Sequence, residues 1–264
     1  MMEKIEDKEK NTEIKNTETV TFKNTRGLSL VGDFFYVKNS PIVVMVHGLT
    51  GDRHEGGRFD QTAAEFQKEG FNIFRFDFSG CGESDDDSLT EEKQIDDLRS
   101  ALKLVTEKGF DNIVLLGLSF GGLISARVFD DRIKTIILWA PVTNTAINSE
   151  DYYGPEAVRE LQERGSITRI RSKVKRQQVV ISEKLFQEWK KIDQQELLSR
   201  ISVPVLIIHG DQDNRVSLVD SQKAMRYLPN GSRLEVIKGA DHIFNDYVKE
   251  FITTSVVWLK SHTN

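Results

Sequence analysis

Six short runs of apolar and β-branched residues, separated by segments of helical periodicity, constrain the fold of this 264-residue chain most strongly. The runs are residues 41–48, 71–80, 112–119, 133–141, 204–210 and 233–240. Several are apolar almost throughout, which is typical of strands that are covered on both faces. Because strands that alternate with helices form βαβ units, the pattern predicts an α/β fold with a mostly parallel, doubly covered sheet.

The segments around these runs predict further elements. Two β-rich stretches, "TVTFKN" and "LSLVGDFFYV", flank "TRG" and predict an N-terminal antiparallel hairpin. Residues 90–108 have apolar side chains at spacings of three and four, which predicts an amphipathic helix with Ser88 and Glu91 as its capping box. A similar stripe between Val248 and Leu259 predicts a C-terminal helix.

The chain is predicted to consist of a flexible arm at residues 1–17 and one domain at residues 18–264. The interval between Pro141 and Pro204 is longer than one crossover helix requires, so we expect a small inserted cap at about residues 142–203. Within it, "SITRIRSKVKR" alternates polar and apolar residues, which predicts a small hairpin. The stretch "SEKLFQEWKKI" predicts a helix. The cap is expected over the carboxyl edge of the sheet, where ligands bind in open α/β folds.

Composition excludes several classes of protein. A net charge of −5 argues against a nucleic-acid binder, and the single cysteine, Cys81, cannot form an intramolecular disulfide. The first residues lack the apolar core of a secretory signal, and no stretch has the 18 apolar residues of a membrane span. We therefore expect a cytoplasmic protein without a membrane span, and its oligomeric state, a homodimer included, stays open.

A serine stands between glycines in "GLSFGG", directly after an apolar run and before a helical segment. A tight strand-to-helix turn of this kind leaves no room for side chains at Gly117 and Gly121 and presents the Ser119 hydroxyl above the sheet edge. The alternative is a glycine-rich turn whose serine caps a helix. We favour Ser119 as a nucleophile.

The serine requires a general base, and His242 in "KGADHIF" follows the last strand and precedes the last helix. This position places it at the same sheet edge as Ser119, whereas His47 and His209 at strand ends are expected to be buried and structural. The imidazole in turn requires an acid. Asp211 and Asp213 both follow the strand at 204–210, and Asp213 has the better reach; both could also be turn formers.

A tetrahedral oxyanion requires hydrogen-bond donors. The backbone N–H of Phe120, next to the nucleophile, is one candidate, and that of Leu49 in "VHGLTG" is the second, although "HGLTG" could be a plain turn. Zinc, dinucleotide and phosphate-loop motifs are incomplete in this chain, so no cofactor and no metal are expected. Cys81 is interpreted as a packed thiol.

The segments "VHGLTG", "FDFSGCGESD", "GLSFGG", "HGDQDNRV" and "GADHIF" resemble, in order and spacing, the α/β-hydrolase superfamily. The resemblance begins near residue 18 and is strongest to small bacterial serine esterases similar to cinnamoyl and feruloyl esterases, which carry a compact insertion above the pocket. It implies Ser119 as nucleophile, Asp213 as acid, His242 as base, and the Leu49 and Phe120 amides as oxyanion donors. Leu118 and Phe120 stand where such esterases often have histidine and glutamine.

The sequence therefore predicts a cofactor-free hydrolase of small-molecule carboxylic esters, of aromatic or short-chain acids, that acts through an acyl-enzyme. The alternatives are an amidase, a peptidase or a lysophospholipase with the same residues, or a ligand-binding protein without activity. Aromatic residues of the insertion are expected either to line the pocket or to pack within the cap; they are Tyr152, Tyr153, Phe186 and Trp189. The basic residues of segment 164–176 either form a solvated face or bind an anionic substrate.

Overall fold

The computed structural model of the chain describes residues 17–37, 40–144, 149–171 and 175–263, and at residues 149–152 it describes the backbone alone. Of the predicted arm, only Thr17 is among these residues, where it begins a strand.

Eight of the described strands form the main sheet, in the order β1-β2-β4-β3-β6-β7-β10-β11. The two antiparallel pairs are β1 with β2 and β2 with β4, and the remaining neighbours are parallel. Both the N-terminal hairpin and the mostly parallel sheet are therefore confirmed. The strands are β1 (Thr17–Lys23), β2 (Ser29–Phe35), β3 (Ile42–Val46), β4 (Asn72–Phe76), β6 (Ile113–Leu118), β7 (Ile133–Trp139), β10 (Val205–Gly210) and β11 (Arg233–Ile237).

Helices cover both faces of this sheet. On the first face, Val44, Leu115 and Leu138 pack with Leu98 and Leu123. These last two lie on α2 (Glu91–Glu107) and α3 (Phe120–Val128). The described helices outside the insertion are α1 (Arg58–Lys68), α2, α3, α7 (Leu218–Ala224) and α8 (Val248–His262).

Alternate residues of the same strands point to the second face. There, Met45 and Leu116 pack in one cluster with Phe66 of α1 and with Phe251 and Leu259 of α8. Because successive side chains of a strand point to opposite faces, a run that is apolar at every position fits a sheet buried on both sides.

The inserted segment contributes α4 (Ser149–Arg164), β8 (Ser166–Ile170), β9 (Gln178–Ser182), α5 (Glu183–Trp189) and α6 (Gln194–Leu198). β8 and β9 form the expected antiparallel hairpin, and β9 also pairs in parallel with the short strand β5 (Ser88–Leu89). The segment contacts residues beyond the carboxyl ends of two main-sheet strands: Arg171 bonds to Thr50 after β3, and Trp189 packs on Phe120 after β6.

Ser88, the predicted N-cap residue of α2, is not the residue that caps this helix. Thr90, with extended backbone, is the N-cap, and its hydroxyl accepts a hydrogen bond from the Lys93 amide at 3.2 Å. Ser88 instead lies in β5, where it pairs with Val180. A residue held in a strand two positions earlier cannot provide the cap, so the strand pairing with the insertion decides where the helix begins.

Candidate active site

Ser119 lies at a strained turn between β6 and α3. Its φ of 54° and ψ of −115° place a non-glycine residue in a sparsely populated region of backbone conformation. Thr50, Ala140 and Phe244, in the loops that follow β3, β7 and β11, also have positive φ. Strain of this kind persists only where the surrounding structure enforces it, and here it is concentrated at the carboxyl edge of the sheet.

Close packing on both sides of the turn excludes side chains at its glycines. A Cβ atom at Gly117 would lie 2.5 Å from the Gly121 carbonyl oxygen, and one at Gly121 would lie 2.2 Å from the carbonyl oxygen of Val46. The turn can therefore close only because Gly117 lacks a side chain, and it fits against the end of β3 only because Gly121 lacks one, as the sequence pattern predicts.

The structure brings together the three side chains that the sequence selects. His242 Nε2 lies 2.9 Å from Ser119 Oγ, and His242 Nδ1 lies 2.7 Å from Asp213 Oδ2. His242 is buried, and the Asp213 side chain is fully buried. Asp211 is placed elsewhere, since its carboxylate accepts a hydrogen bond from the Gly239 amide at 2.6 Å.

Asp213 also contacts a second histidine, which no sequence motif connects with it. His209 Nε2 lies 3.1 Å from Asp213 Oδ2 and 3.1 Å from the Val216 carbonyl oxygen. Because both neighbours are acceptors, Nε2 carries the proton, and Nδ1 accepts from the Ser221 hydroxyl at 2.8 Å. The i, i+4 spacing of His209, near the end of β10, and Asp213 is the signal that the sequence contains.

The surroundings of Asp213 keep its carboxylate ionised. Burial raises the pKa of this group, but hydrogen bonds from His209 and His242, the charge of His242 and the Val216 amide together hold its pKa well below the usual range. Its second oxygen, Oδ1, accepts from the amides of Arg215 and Val216 at 2.8 and 2.9 Å. The carboxylate is thus oriented as a fixed acceptor for His242.

The two predicted amide donors flank Ser119. Phe120 is the first residue of α3, so the helix itself provides no acceptor for its N–H. Leu49 follows Gly48, at which a Cβ atom would lie only 3.6 Å from Ser119 Cβ. The Gly48 amide is held by the buried carboxylate of Glu55, whose Oε1 accepts its hydrogen at 2.6 Å. Glu55 therefore positions the loop that carries Leu49.

A buried ionic network lies behind this loop. Arg53 pairs with Asp33 at 3.0 Å and also with Asp77 and Glu83. Burial lowers the pKa of Arg53, but the charges of Asp77, Glu83 and Asp33 raise it above its ordinary value. A second guanidinium, that of Arg75, contacts Asp33 at 3.2 Å. These contacts join the loop after β3 to β2 and β4.

The remaining histidines have separate environments. His47 is buried, and its Nε2 accepts a hydrogen bond from the Phe78 amide at 3.1 Å, consistent with the structural role expected for it. His54 lies 3.0 Å from Asp60, and His262 stacks on Trp258. Cys81 is fully buried, and burial raises the pKa of its thiol well above the usual value. Among the described residues, no group of His, Cys, Asp and Glu could hold a metal ion.

Aromatic side chains of the insertion pack against the candidate site. Trp189 and Phe186 are both buried, and the Trp189 ring lies 5.5 Å from that of Phe120. Tyr153 packs on Phe186 and also lines an open cleft. The side chain of Tyr152 lies outside the described residues.

Residues 41–163 match the family model described as the alpha/beta hydrolase fold. Among curated proteins, "Putative esterase/lipase 2" of Mycoplasma pneumoniae is 28% identical over 106 residues, which cover 39% of this chain and 38% of that protein. A proline iminopeptidase of Saccharolobus solfataricus is 32% identical over 107 residues, covering 39% of this chain and 34% of its own length. The matched region thus spans well under half the length of these relatives.

Solved structures with a similar fold cover almost the whole chain. The alpha/beta hydrolase GrgF from Penicillium sp. sh18 superposes with a TM-score of 0.76 at 18% identity, covering 94% of this chain and 99% of that one. Est1E from Butyrivibrio proteoclasticus, solved with bound ferulic acid, gives a TM-score of 0.74 at 19% identity, covering 92% and 98%. No described helix is long and apolar enough to cross a membrane. Its family match and these superpositions show that the chain has the α/β-hydrolase fold.

Proposed function

We propose that this protein hydrolyses carboxylic esters of small molecules through an acyl-enzyme formed on Ser119. The observation that carries the proposal is the unbroken series of hydrogen bonds from Ser119 through His242 to the ionised Asp213. The similarity to a putative esterase/lipase supports hydrolysis of esters. The acid is expected to be aromatic or short-chain, and the protein is expected to be cytoplasmic and to need no cofactor.

In the first step, His242 Nε2 accepts the hydroxyl proton of Ser119 while Oγ attacks the ester carbonyl carbon. This requires the tautomer with hydrogen on Nδ1, which the contact with Asp213 at 2.7 Å selects. The same carboxylate stabilises the imidazolium that forms, and it remains ionised itself. His209 holds Asp213 from the other side and so fixes its direction towards His242.

Negative charge develops on the carbonyl oxygen, and the backbone N–H groups of Leu49 and Phe120 stabilise it by donating hydrogen bonds. The N-terminus of α3 adds its partial positive charge at the same point. Collapse of the intermediate breaks the bond to the alcohol oxygen, which takes the proton from His242. Water, deprotonated by His242, then attacks the acyl-enzyme and releases the acid and free Ser119.

The test is Ser119→Ala, with Ser100→Ala on α2 as the matched control. We expect Ser119→Ala to lower kcat on 4-nitrophenyl acetate by about 10⁴-fold or more while the protein stays folded. A fluorophosphonate probe should label the parent protein and Ser100→Ala but not Ser119→Ala. Turnover and labelling that persist in Ser119→Ala would overturn the proposal.

Hydrolysis of peptide bonds is a second candidate, because the chain is also similar to a protein named a proline iminopeptidase. The same nucleophile and base can act on an amide, whose nitrogen must then be protonated by His242 as it leaves. Comparing kcat/KM for a matched ester and 4-nitroanilide separates the two. A higher kcat/KM for the anilide would indicate that the natural substrate is an amide and not an ester.

A further inference from the structure

We propose that the natural substrate carries an anionic oxygen group, a carboxylate or a phosphate, which Arg169, Arg171 and Arg215 bind in a cleft beside Ser119. The proposal rests on the function proposed above and names the substrate class for the same site.

The cleft has a volume of about 510 Å³, and residues from two loops of the candidate active site line it. Leu49 and Thr50 belong to the loop in which Gly48 lies close to Ser119. Asn214 and Arg215 directly follow Asp213 in the chain. A molecule in the cleft is therefore next to the loop of a proposed oxyanion donor and the loop of the proposed acid.

The hairpin of the insertion provides a third set of lining residues. Arg169 lies on β8, and Arg171 follows the last residue of the strand, where its amide still bonds to the Gln177 carbonyl at 2.7 Å. Both arginines line the cleft, as expected of residues two positions apart in extended chain. The Arg169 guanidinium lies 4.2 Å from the centre of the Tyr153 ring, and Arg171 Nη1 donates to the Thr50 hydroxyl at 2.9 Å. Both guanidinium groups are thus held in place by neutral partners.

None of the three arginines has a carboxylate within 4.0 Å among the side chains that the structure describes. Basic neighbours in the same segment are different, because Lys175 pairs with Glu83 and Arg176 pairs with Asp86. An arginine cannot lose its charge near neutral pH, so these side chains bring three positive charges, unpaired with any described carboxylate, to the cleft of a protein of net charge −5. The cleft therefore attracts anions and offers planar donor groups that match carboxylate and phosphate oxygens.

The test uses matched charged and neutral esters. To test a charge on the alcohol part of the ester, 4-acetoxybenzoate and 4-acetoxyphenyl phosphate are compared with the neutral methyl 4-acetoxybenzoate. To test a charge on the acid part, monoethyl adipate is compared with the neutral diethyl adipate. We expect the parent protein to have the higher kcat/KM for the charged member of at least one pair. Substitution of Arg169, Arg171 or Arg215 by glutamine should reduce that preference by about tenfold each, the scale of one charged hydrogen bond.

The matched control is Arg99→Gln, which removes one charge from the exposed face of α2 and should leave the preference unchanged. Hydrolysis of the neutral esters should change less than twofold in Arg99→Gln. If no charged ester is preferred, or if Arg99→Gln lowers the preference as much as the cleft variants do, the anionic substrate is excluded. In that case a fluorophosphonate would still label Ser119. If the proposed function itself were wrong, neither labelling of Ser119 nor hydrolysis of any ester would be observed.

Discussion

Arg53 lies in the loop that follows β3 and Arg171 contacts this loop, yet the two residues have different electrostatic surroundings. Arg53 is buried and contacts the carboxylates of Asp33, Asp77 and Glu83. Arg171 lies on the cleft side and bonds to the hydroxyl of Thr50. Carboxylates thus fix the guanidinium of Arg53 within the loop, whereas the guanidinium of Arg171, on the proposal made above, binds a ligand.

The physical basis is desolvation. A buried guanidinium has lost its hydration and must be paired with fixed carboxylates. The carboxylates that contact Arg53 therefore cannot be replaced by a substrate. A guanidinium at an open cleft keeps part of its hydration and can exchange water for an anion. The difference yields three predictions about stability, taken from the largest expected effect to the smallest.

The strongest test is Arg53→Met. The change leaves the fully buried Asp77 without its cation, and we expect the free energy of unfolding to fall by about 3–5 kcal/mol. Urea denaturation followed by circular dichroism measures it. Addition of Asp77→Asn to the variant should recover part of the loss, because the unpaired charge is then absent. A loss below about 1 kcal/mol would show that the network does not hold the loop.

An intermediate effect is expected for Glu83→Gln. Hydrogen bonds from Lys175 and Arg53 lower the pKa of Glu83 to about 2. Because the folded state favours the ionised form, its contribution is complete above the unfolded pKa, near 4.5, and is lost as pH falls towards about 2.

The Glu83→Gln variant should therefore be less stable than the parent by about 1 kcal/mol at pH 7, since the side chain is partly exposed. The difference should shrink steadily between pH 4.5 and pH 3. Unfolding curves across this range measure it, with Glu163→Gln on the exposed face of α4 as the control. A difference that is constant with pH would contradict the assigned ion pairs.

The smallest effect is expected for Arg171→Met. Its guanidinium has no carboxylate partner among the described side chains, so the free energy of unfolding should change by less than about 0.5 kcal/mol. Denaturation under the conditions used for Arg53→Met gives the direct comparison. A loss of 2 kcal/mol or more would make Arg171 a structural residue like Arg53 and would remove the contrast between them.

The sequence predicts the main sheet and the Ser119 turn well because both depend on local patterns. The strand Ile113–Leu118 consists of apolar residues and one glycine, and the glycines at 117 and 121 are required by the close approach of two backbones. The sequence also selects His242 and Asp213, since the carboxyl ends of parallel strands meet at one edge, and the structure places these two side chains 2.7 Å apart.

Contacts between distant segments could not be predicted in the same way. Nothing in the sequence indicates that Arg53 pairs with Asp33 and Asp77, although a charged residue inside an apolar strand, such as Arg75, is a signal that a buried partner exists. The cap of α2 was assigned to Ser88 because the pairing of that residue with the insertion is invisible in the local pattern.

The position of β11 has a consequence for how the protein loses activity. This strand is the last in the sheet and pairs only with β10 among the described strands, and His242 lies in the loop that follows it. Edge elements open locally at a lower free energy than the core, so His242 should leave Ser119 before the molecule unfolds as a whole. On the proposed mechanism, activity on heating declines ahead of the circular dichroism signal, and during refolding it returns last. The return of turnover during refolding would thus indicate that β11 has paired with β10.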